Sequence, residues 1–214
     1  MNRDLGDERR EYEMEALAIS HLPADPMELF SQWLQKALQL GIPDPTAMTL
    51  STVDPEGNPS SRIVLLKKVE EGRLVFYTNY KSKKSRDIKA NNRVATHFYW
   101  PGLEQQVRIS GSVMAIKKEE SDLYFQSRPY ESKISAWVSP QSEVISDRDF
   151  LEKKFDEYCK RFPDSGDIPR PDHWGGYAIH PTRIEFWQGG SKRLHDRIVY
   201  TWDGERWTSV RLAP

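Results

Sequence analysis

Arg193, His195 and Arg197 alternate at the end of Glu185–Arg197, a stretch reading Glu-Phe-Trp-Gln-Gly-Gly-Ser-Lys-Arg-Leu-His-Asp-Arg that also carries the aromatic plate of Trp187 and a Gly pair. Side chains alternate faces along an extended strand, so the spacing predicts Arg193, His195 and Arg197 on one face and Leu194 and Asp196 on the other. Two guanidiniums around an imidazole suit anion binding and proton handling near neutrality, where imidazole ordinarily titrates. Taken alone, the triplet is explained equally well by an amphipathic edge strand with solvated cations.

Cations recur elsewhere beside hydroxyls and amides. Arg62-Ile63-Val64-Leu65-Leu66-Lys67 has a charge at each end of an apolar core strand. Its odd spacing predicts Arg62 and Lys67 on opposite faces, each needing an anion if buried or reaching solvent by snorkelling. Tyr77-Thr78 and Lys81-Ser82-Lys83-Lys84 gather a hydroxyl, cations and a predicted helix start, where N–H groups and the dipole favour a phosphate. Tyr124 and Arg128 lie four apart on a predicted helix and so face the same way, with Ser132 just past the Pro129 break. A planar fork and two hydroxyls suit a second phosphate. A solvated helix start and surface Tyr–Arg packing are the plainer alternatives. Gln106, Gln141 and Ser142 are neutral groups of the kind that bond a heteroaromatic edge, and Trp187 would pack on such a ring.

These residues need a scaffold, and the periodicity supplies one. Asp25-Pro26-Met27-Glu28 predicts a helix start, followed by a docking face of Phe30, Trp33, Leu34, Ala37 and Leu38 and a stop at Gly41. Strands are predicted over 48–53, 60–67 and 73–78 as two hairpins, then over 94–100, 106–116 and 176–188. Helices are predicted over 82–91, 118–127 and 146–162, the last burying Leu151, Phe155, Tyr158, Cys159 and Phe162 along one stripe. A terminal hairpin turns tightly at Asp203-Gly204, with Tyr200 facing Trp207. Antiparallel strands with interspersed helices favour a closed or partly closed β-barrel with peripheral helices, mainly β in an α+β arrangement.

Composition narrows the classes. Among 214 residues, 31 basic and 32 acidic side chains nearly cancel, which argues against wholesale nucleic-acid coating but allows a local basic pocket. The single cysteine, Cys159, excludes an internal disulfide framework and a multi-Cys metal site, and fits a reducing cytoplasm. The histidines have no metal-ligand spacing, and no dinucleotide or P-loop glycine motif is present. The first ten residues are charged, without the apolar run of a signal peptide or membrane span, so a cytoplasmic protein with a mobile arm over 1–20 and one domain over 21–214 is expected.

The runs Arg62-Ile-Val-Leu-Leu-Lys67, Phe76-Tyr-Thr-Asn79, Ser127-Arg-Pro129, Ala136-Trp-Val-Ser139 with Gln141-Ser142, Glu185–Arg197 and Arg211-Leu-Ala-Pro214 together resemble the pyridoxine 5'-phosphate oxidase family, from Arg9 to the C-terminus. The resemblance implies an FMN-binding split β-barrel that forms a homodimer with FMN at the interface. It implies oxidation of pyridoxine 5'-phosphate or pyridoxamine 5'-phosphate to pyridoxal 5'-phosphate, with O2 reduced to H2O2. By motif, FMN would be held by Arg62, Ile63, Val64, Leu65, Leu66, Lys67, Tyr77, Thr78, Lys83, Lys84, Gln106, Gln141, Ser142, Trp187 and Arg197. Substrate would meet Lys67, Tyr124, Arg128, Ser132, Arg193, Leu194 and His195, under an arm carrying Arg9, Arg10, Glu11 and Tyr12. Arg193 and His195 would be the catalytic pair. Lys83 departs from the family's frequent Arg, which keeps the charge but loses the bidentate fork. The rivals are a flavin reductase or deazaflavin-dependent relative, and a non-catalytic flavin, pyridoxal phosphate or nucleic-acid binding barrel.

Overall fold

The structure is a computed structural model and describes residues 11, 12, 17, 22–164 and 167–214. Arg9, Arg10 and most of the expected arm lie outside the described residues. The chain divides into two compact units, Met1–Met48 with Thr96–Ser110 and Pro181–Pro214, and Thr49–Ala95 with Gly111–His180. Among the described residues nine strands hydrogen-bond in the order β2-β1-β5-β6-β7-β4-β3, with β8 beside β7 and β9 beside β8.

In the first unit, helix α1 (Pro26–Gln39) starts as its sequence dictates: Asp25 accepts from the Met27 N–H at 2.9 Å, and Pro26 fills a first-turn position that needs no donor. The helix buries Phe30 against Phe98 (centroids 5.1 Å apart) and Trp33 edge-on to Phe186 (5.2 Å). Leu38 does not dock as expected; it is 52% exposed, since the buried stripe runs through Met27, Phe30, Trp33 and Ala37 and leaves Leu38 outside it. The C-terminal strands β8 (Asp196–Trp202) and β9 (Trp207–Leu212) form an antiparallel ladder whose register differs from expectation. Tyr200 faces Ser209 and Trp202 faces Trp207, because the connection is the four residues 203–206, closed by the Asp203 side chain accepting from the Glu205 and Arg206 N–H groups at 2.9 Å, not a two-residue turn.

The second unit holds most of β1 (Ala47–Val53), then β2 (Pro59–Leu65), β3 (Lys68–Glu70), β4 (Arg73–Asn79) and α2 (Lys83–Ala90). Strands β5 (Arg93–Trp100), β6 (Gln105–Ala115) and β7 (Trp174–Gln188) contribute residues to both units. Strand β2 is not the apolar core strand its composition suggested. It stands at one end of the strand order, with Ile63 63% and Leu65 42% exposed, and it ends at Leu65, so the strand alternation never reaches Lys67. The second hairpin is accordingly β3–β4, with Lys68 opposite Val75.

Helices α3 (Lys118–Gln126), α4 (Tyr130–Val138) and α5 (Arg148–Arg161) complete this unit. Helix α4 is absent from the sequence-based expectation: Pro129 stops α3 but also occupies the N-cap of the next helix, and a proline disrupts a helix running into it far more than one that starts just after it. Phe125, Ile134, Ala136, Val138, Ile168 and Trp174 form its core, and Leu151, Phe155, Tyr158, Cys159 and Phe162 of the α5 stripe pack against it, partly buried.

Candidate active site

Within the second unit, the C-terminal half of β4, the end of β2 and the helices α2, α3 and α4 enclose a cavity of about 680 Å³. Twelve residues singled out in the sequence line it: Arg62, Ile63, Val64, Leu65, Lys67, Tyr77, Thr78, Lys84, Tyr124, Arg128, Ser132 and Gln141. The predicted opposition of Arg62 and Lys67 is therefore corrected: with β2 ended at Leu65, both reach one space. Lys83, Leu66 and Ser142 are not in the lining. Leu66 is buried, and Lys83 turns to Asp87 at 3.1 Å and Asp54 at 3.8 Å.

Lys84 is the electrostatic centre of this cavity. It is 8% exposed, and its ammonium donates only to neutral oxygens: Gln141 Oε1 (2.7 Å), Thr78 Oγ1 (3.1 Å) and Ser82 Oγ (3.1 Å). Ser82 occupies the N-cap of α2 without a side-chain cap bond; its hydroxyl serves Lys84 instead, and also meets Ser85 Oγ at 3.2 Å. Burial, with a smaller push from Arg62, lowers the Lys84 pKa from 10.5 to about 8. A buried ammonium without a carboxylate is costly, and an anion entering the cavity would relieve that cost.

Arg62 is fixed by donating to Leu50 O (3.0 Å), Thr52 Oγ1 (2.8 Å) and Ser60 Oγ (2.6 Å), with buried Asp87 3.9 Å away. Asp87, which sequence reasoning passed over, therefore holds both Arg62 and Lys83. Arg128, just past the end of α3, lines the same cavity; among the described residues no carboxylate lies against it, and its buried Nη1 has no hydrogen-bond partner. Tyr77 and Tyr124 stack 3.8 Å apart, and burial pushes the Tyr77 hydroxyl up to about 12, so it stays a neutral donor at physiological pH. Trp174 and Pro129 complete a wall for which spacing gave no signal.

The remaining predicted residues lie in the first unit. Gln106, Trp187 and Arg197 line a depression of about 300 Å³ with Arg108, Glu185 and Pro214. Arg197 donates twice to Glu185 Oε1, at 2.8 and 3.0 Å. Burial alone would raise the Glu185 carboxyl, but the bonds from Arg183 and Arg197 outweigh it and hold the group below its ordinary value. Leu194 and His195 border a second hollow with Asp196, Arg211 and the C-terminus.

The shared strand face expected for Arg193, His195 and Arg197 does not exist. β7 ends at Gln188, a 3-10 turn spans Ser191–Arg193, and Lys192 and Arg193 both take left-handed φ (55° and 60°). Gly190 permits this reversal: a Cβ there would lie 2.5 Å from the Leu194 carbonyl. Arg193 is thus exposed on a turn, whereas His195 packs against the rings of both Trp187 (4.7 Å) and Tyr12 (5.2 Å), which also meet each other at 5.5 Å. The Gly190 N–H donates to His195 Nδ1 at 3.1 Å, so neutral His195 carries its proton on Nε2.

The chain resembles PhzG from Burkholderia lata, solved with tetrahydrophenazine-1-carboxylic acid, at 27% identity and a TM-score of 0.89, covering 96% of this chain and 100% of that one. A pyridoxamine 5'-phosphate oxidase-related, FMN-binding protein from Nostoc punctiforme shares the fold, with 17% identity and a TM-score of 0.72 over 90% of this chain and 100% of that one. The fold is the mainly β split barrel with peripheral helices that the sequence predicts. A family profile described as pyridoxamine 5'-phosphate oxidase matches residues 34–160, and one described as the pyridoxine 5'-phosphate oxidase C-terminal dimerisation region matches residues 174–214. The pyridoxine/pyridoxamine 5'-phosphate oxidase of Cytophaga hutchinsonii is 49% identical over 215 residues, spanning 100% of both chains. That of Rubrobacter xylanophilus is 49% identical over 212 residues, 99% of this chain and 97% of the relative. The chain belongs to the pyridoxamine 5'-phosphate oxidase family.

Proposed function

We propose that the protein binds FMN and oxidises pyridoxine 5'-phosphate or pyridoxamine 5'-phosphate to pyridoxal 5'-phosphate, with O2 as the electron acceptor and H2O2 as its product. The amine substrate also consumes water and releases ammonia. The observation that carries this reading is a single cavity in which two cationic groups withdrawn from solvent, Lys84 and Arg128, have no carboxylate partner among the described residues, with exposed Lys67 beside them. Two such groups suit two phosphates, one on a flavin and one on the substrate. FMN, when bound, supplies the two-electron chemistry; the chain supplies position and charge.

In this reading Lys84, Arg62, Thr78 and Gln141 take the flavin phosphate, and Ile63, Val64, Leu65 and Tyr77 complete that side; Leu66, Lys83 and Ser142, outside the lining, rest on the family likeness. Arg128, Tyr124, Ser132 and Lys67 take the substrate phosphate, the hydroxyls donating and the guanidinium presenting its fork. Gln106, Trp187 and Arg197 as further flavin contacts, and Glu11, Tyr12, Leu194, Arg193 and His195 on the substrate side, rest on the family likeness. Arg193 orients the substrate and steadies charge. His195, holding its proton at Nε2, donates a hydrogen bond there. Homodimerisation is supported by the match of residues 174–214 to a dimerisation region, and FMN at the interface rests on the family likeness. A single domain over 21–214, an arm over 1–20 and a cytoplasmic location complete the proposal; among the described residues no helix is long and apolar enough to cross a membrane. Aerobic turnover tests the function: pyridoxal 5'-phosphate and H2O2 should appear in equal amounts from the phosphorylated alcohol, and no H2O2 would refute the reading.

A further inference from the structure

We infer that Trp174 is a positioning residue for phosphate recognition, its indole face carrying the Arg128 guanidinium and so aiming the unpaired Arg128 fork into the cavity. The inference rests on the assignment of Arg128 to the substrate phosphate.

The Arg128 guanidinium carbon lies 4.4 Å from the Trp174 ring centroid and 5.7 Å from that of Phe125. Both are within the range of a cation–π contact, and Trp is the best partner for one. What holds an arginine decides what it has left to offer. A carboxylate partner would occupy its N–H donors and neutralise the charge a ligand needs. A ring face beneath the guanidinium carbon engages the charge without accepting from its N–H groups, which stay free for a ligand. Arg128 has such a ring and no carboxylate, and its buried Nη1 has no hydrogen-bond partner.

Trp174 is itself held from several sides. It is 7% exposed and packs edge-on to Phe125, with centroids 5.3 Å apart at 67°. Its backbone N–H donates to Pro171 O at 2.9 Å, and its backbone carbonyl accepts from Arg170 Nη1. Arg170 Nε also donates to Asp122 Oδ1 at 2.6 Å. Asp122 belongs to α3, the helix whose last turn carries Tyr124 and Phe125 and runs directly into Arg128. The platform and the arginine it carries are thereby tied to each other through the backbone as well as through the ring.

The test is calorimetric titration of the flavin-loaded protein with pyridoxal 5'-phosphate, alongside steady-state turnover of pyridoxine 5'-phosphate. Trp174→Leu should weaken product binding about tenfold and raise KM in proportion, with the loss concentrated in KM rather than kcat. Trp174→Phe keeps a π face and should recover most of that loss; should Trp174→Leu fold poorly, the Phe variant set against Arg128→Lys carries the comparison. In an Arg128→Ala background, Trp174→Leu should add less than twofold. A folded, flavin-loaded Trp174→Leu with parental affinity, or a full tenfold effect persisting in the Arg128→Ala background, would overturn the inference. Should the parent fail to bind pyridoxal 5'-phosphate while retaining flavin, the functional reading falls first, and the inference falls with it.

Discussion

Lys84→Met is the sharpest perturbation available, because the consequence of removing this charge is set by its surroundings. The Lys84 pKa stands at about 8 in the folded chain against 10.5 ordinarily, since burial disfavours the ammonium and only neutral oxygens meet it. An unfolded chain therefore binds more protons at this site than the folded one between those values, and stability rises with pH across the window. From pH 8 to 9.5, Lys84 alone contributes about 1.5 kcal/mol of added stability, out of a total cost near 3 kcal/mol at neutrality. The window must close below pH 10, where Tyr77, with its pKa raised to about 12, begins to work in the opposite direction. The assay is urea unfolding of flavin-free protein at several pH values. The parent should gain about 1.5 kcal/mol over this interval relative to Lys84→Met, and flavin mononucleotide should reduce the gain by keeping the ammonium charged. Loss of a charge-assisted bond to phosphate should also weaken flavin binding ~10- to 100-fold in Lys84→Met. Lys83→Met, which removes a cation engaged with Asp87 and Asp54, should weaken it far less. Equal pH slopes in parent and Lys84→Met would refute the buried-charge argument.

Other substitutions separate the remaining parts. Arg128→Ala should raise KM for the phosphorylated substrate at least tenfold while flavin content stays parental; an unchanged KM removes Arg128 from the phosphate seat. Arg193→Ala should leave flavin bound but lower kcat ~100-fold, and parental turnover in the purified variant would remove it from the catalytic pair. Gly190→Ala forces a methyl group against the Leu194 carbonyl and should cost about 1–3 kcal/mol in thermal unfolding, so an unchanged Tm would show that the turn can open without strain.

Sequence carried the architecture wherever local rules decide it. Asp25-Pro26 set the start of α1, and the alternation Val107, Ile109, Val113, Ala115 predicted one face of β6, which is buried through Val113 while Ala115, at the strand's end, is exposed. The cavity was legible as scattered clusters because phosphate seats need particular residue types, and twelve of those residues line one space. Longer-range packing was not legible. The β2 run is apolar, but its place at the end of the strand order leaves Ile63 and Leu65 exposed. Alternation places Arg193 on a strand face only if the strand continues, while Gly190 and two left-handed residues reverse the chain there. Asp87 and Trp174 escaped notice for a related reason: each works through an arginine distant in sequence, Arg62 and Arg128 respectively, and no spacing rule connects such pairs.

The central claim is that one cavity seats both a flavin and a phosphorylated substrate. Anaerobic addition of pyridoxine 5'-phosphate to the flavin-loaded protein measures it most directly. The account predicts that the yellow colour bleaches stoichiometrically, returns with O2, and is bleached far less readily by unphosphorylated pyridoxine. A flavin that stays oxidised, or that pyridoxine reduces as readily as its phosphate ester, would contradict it.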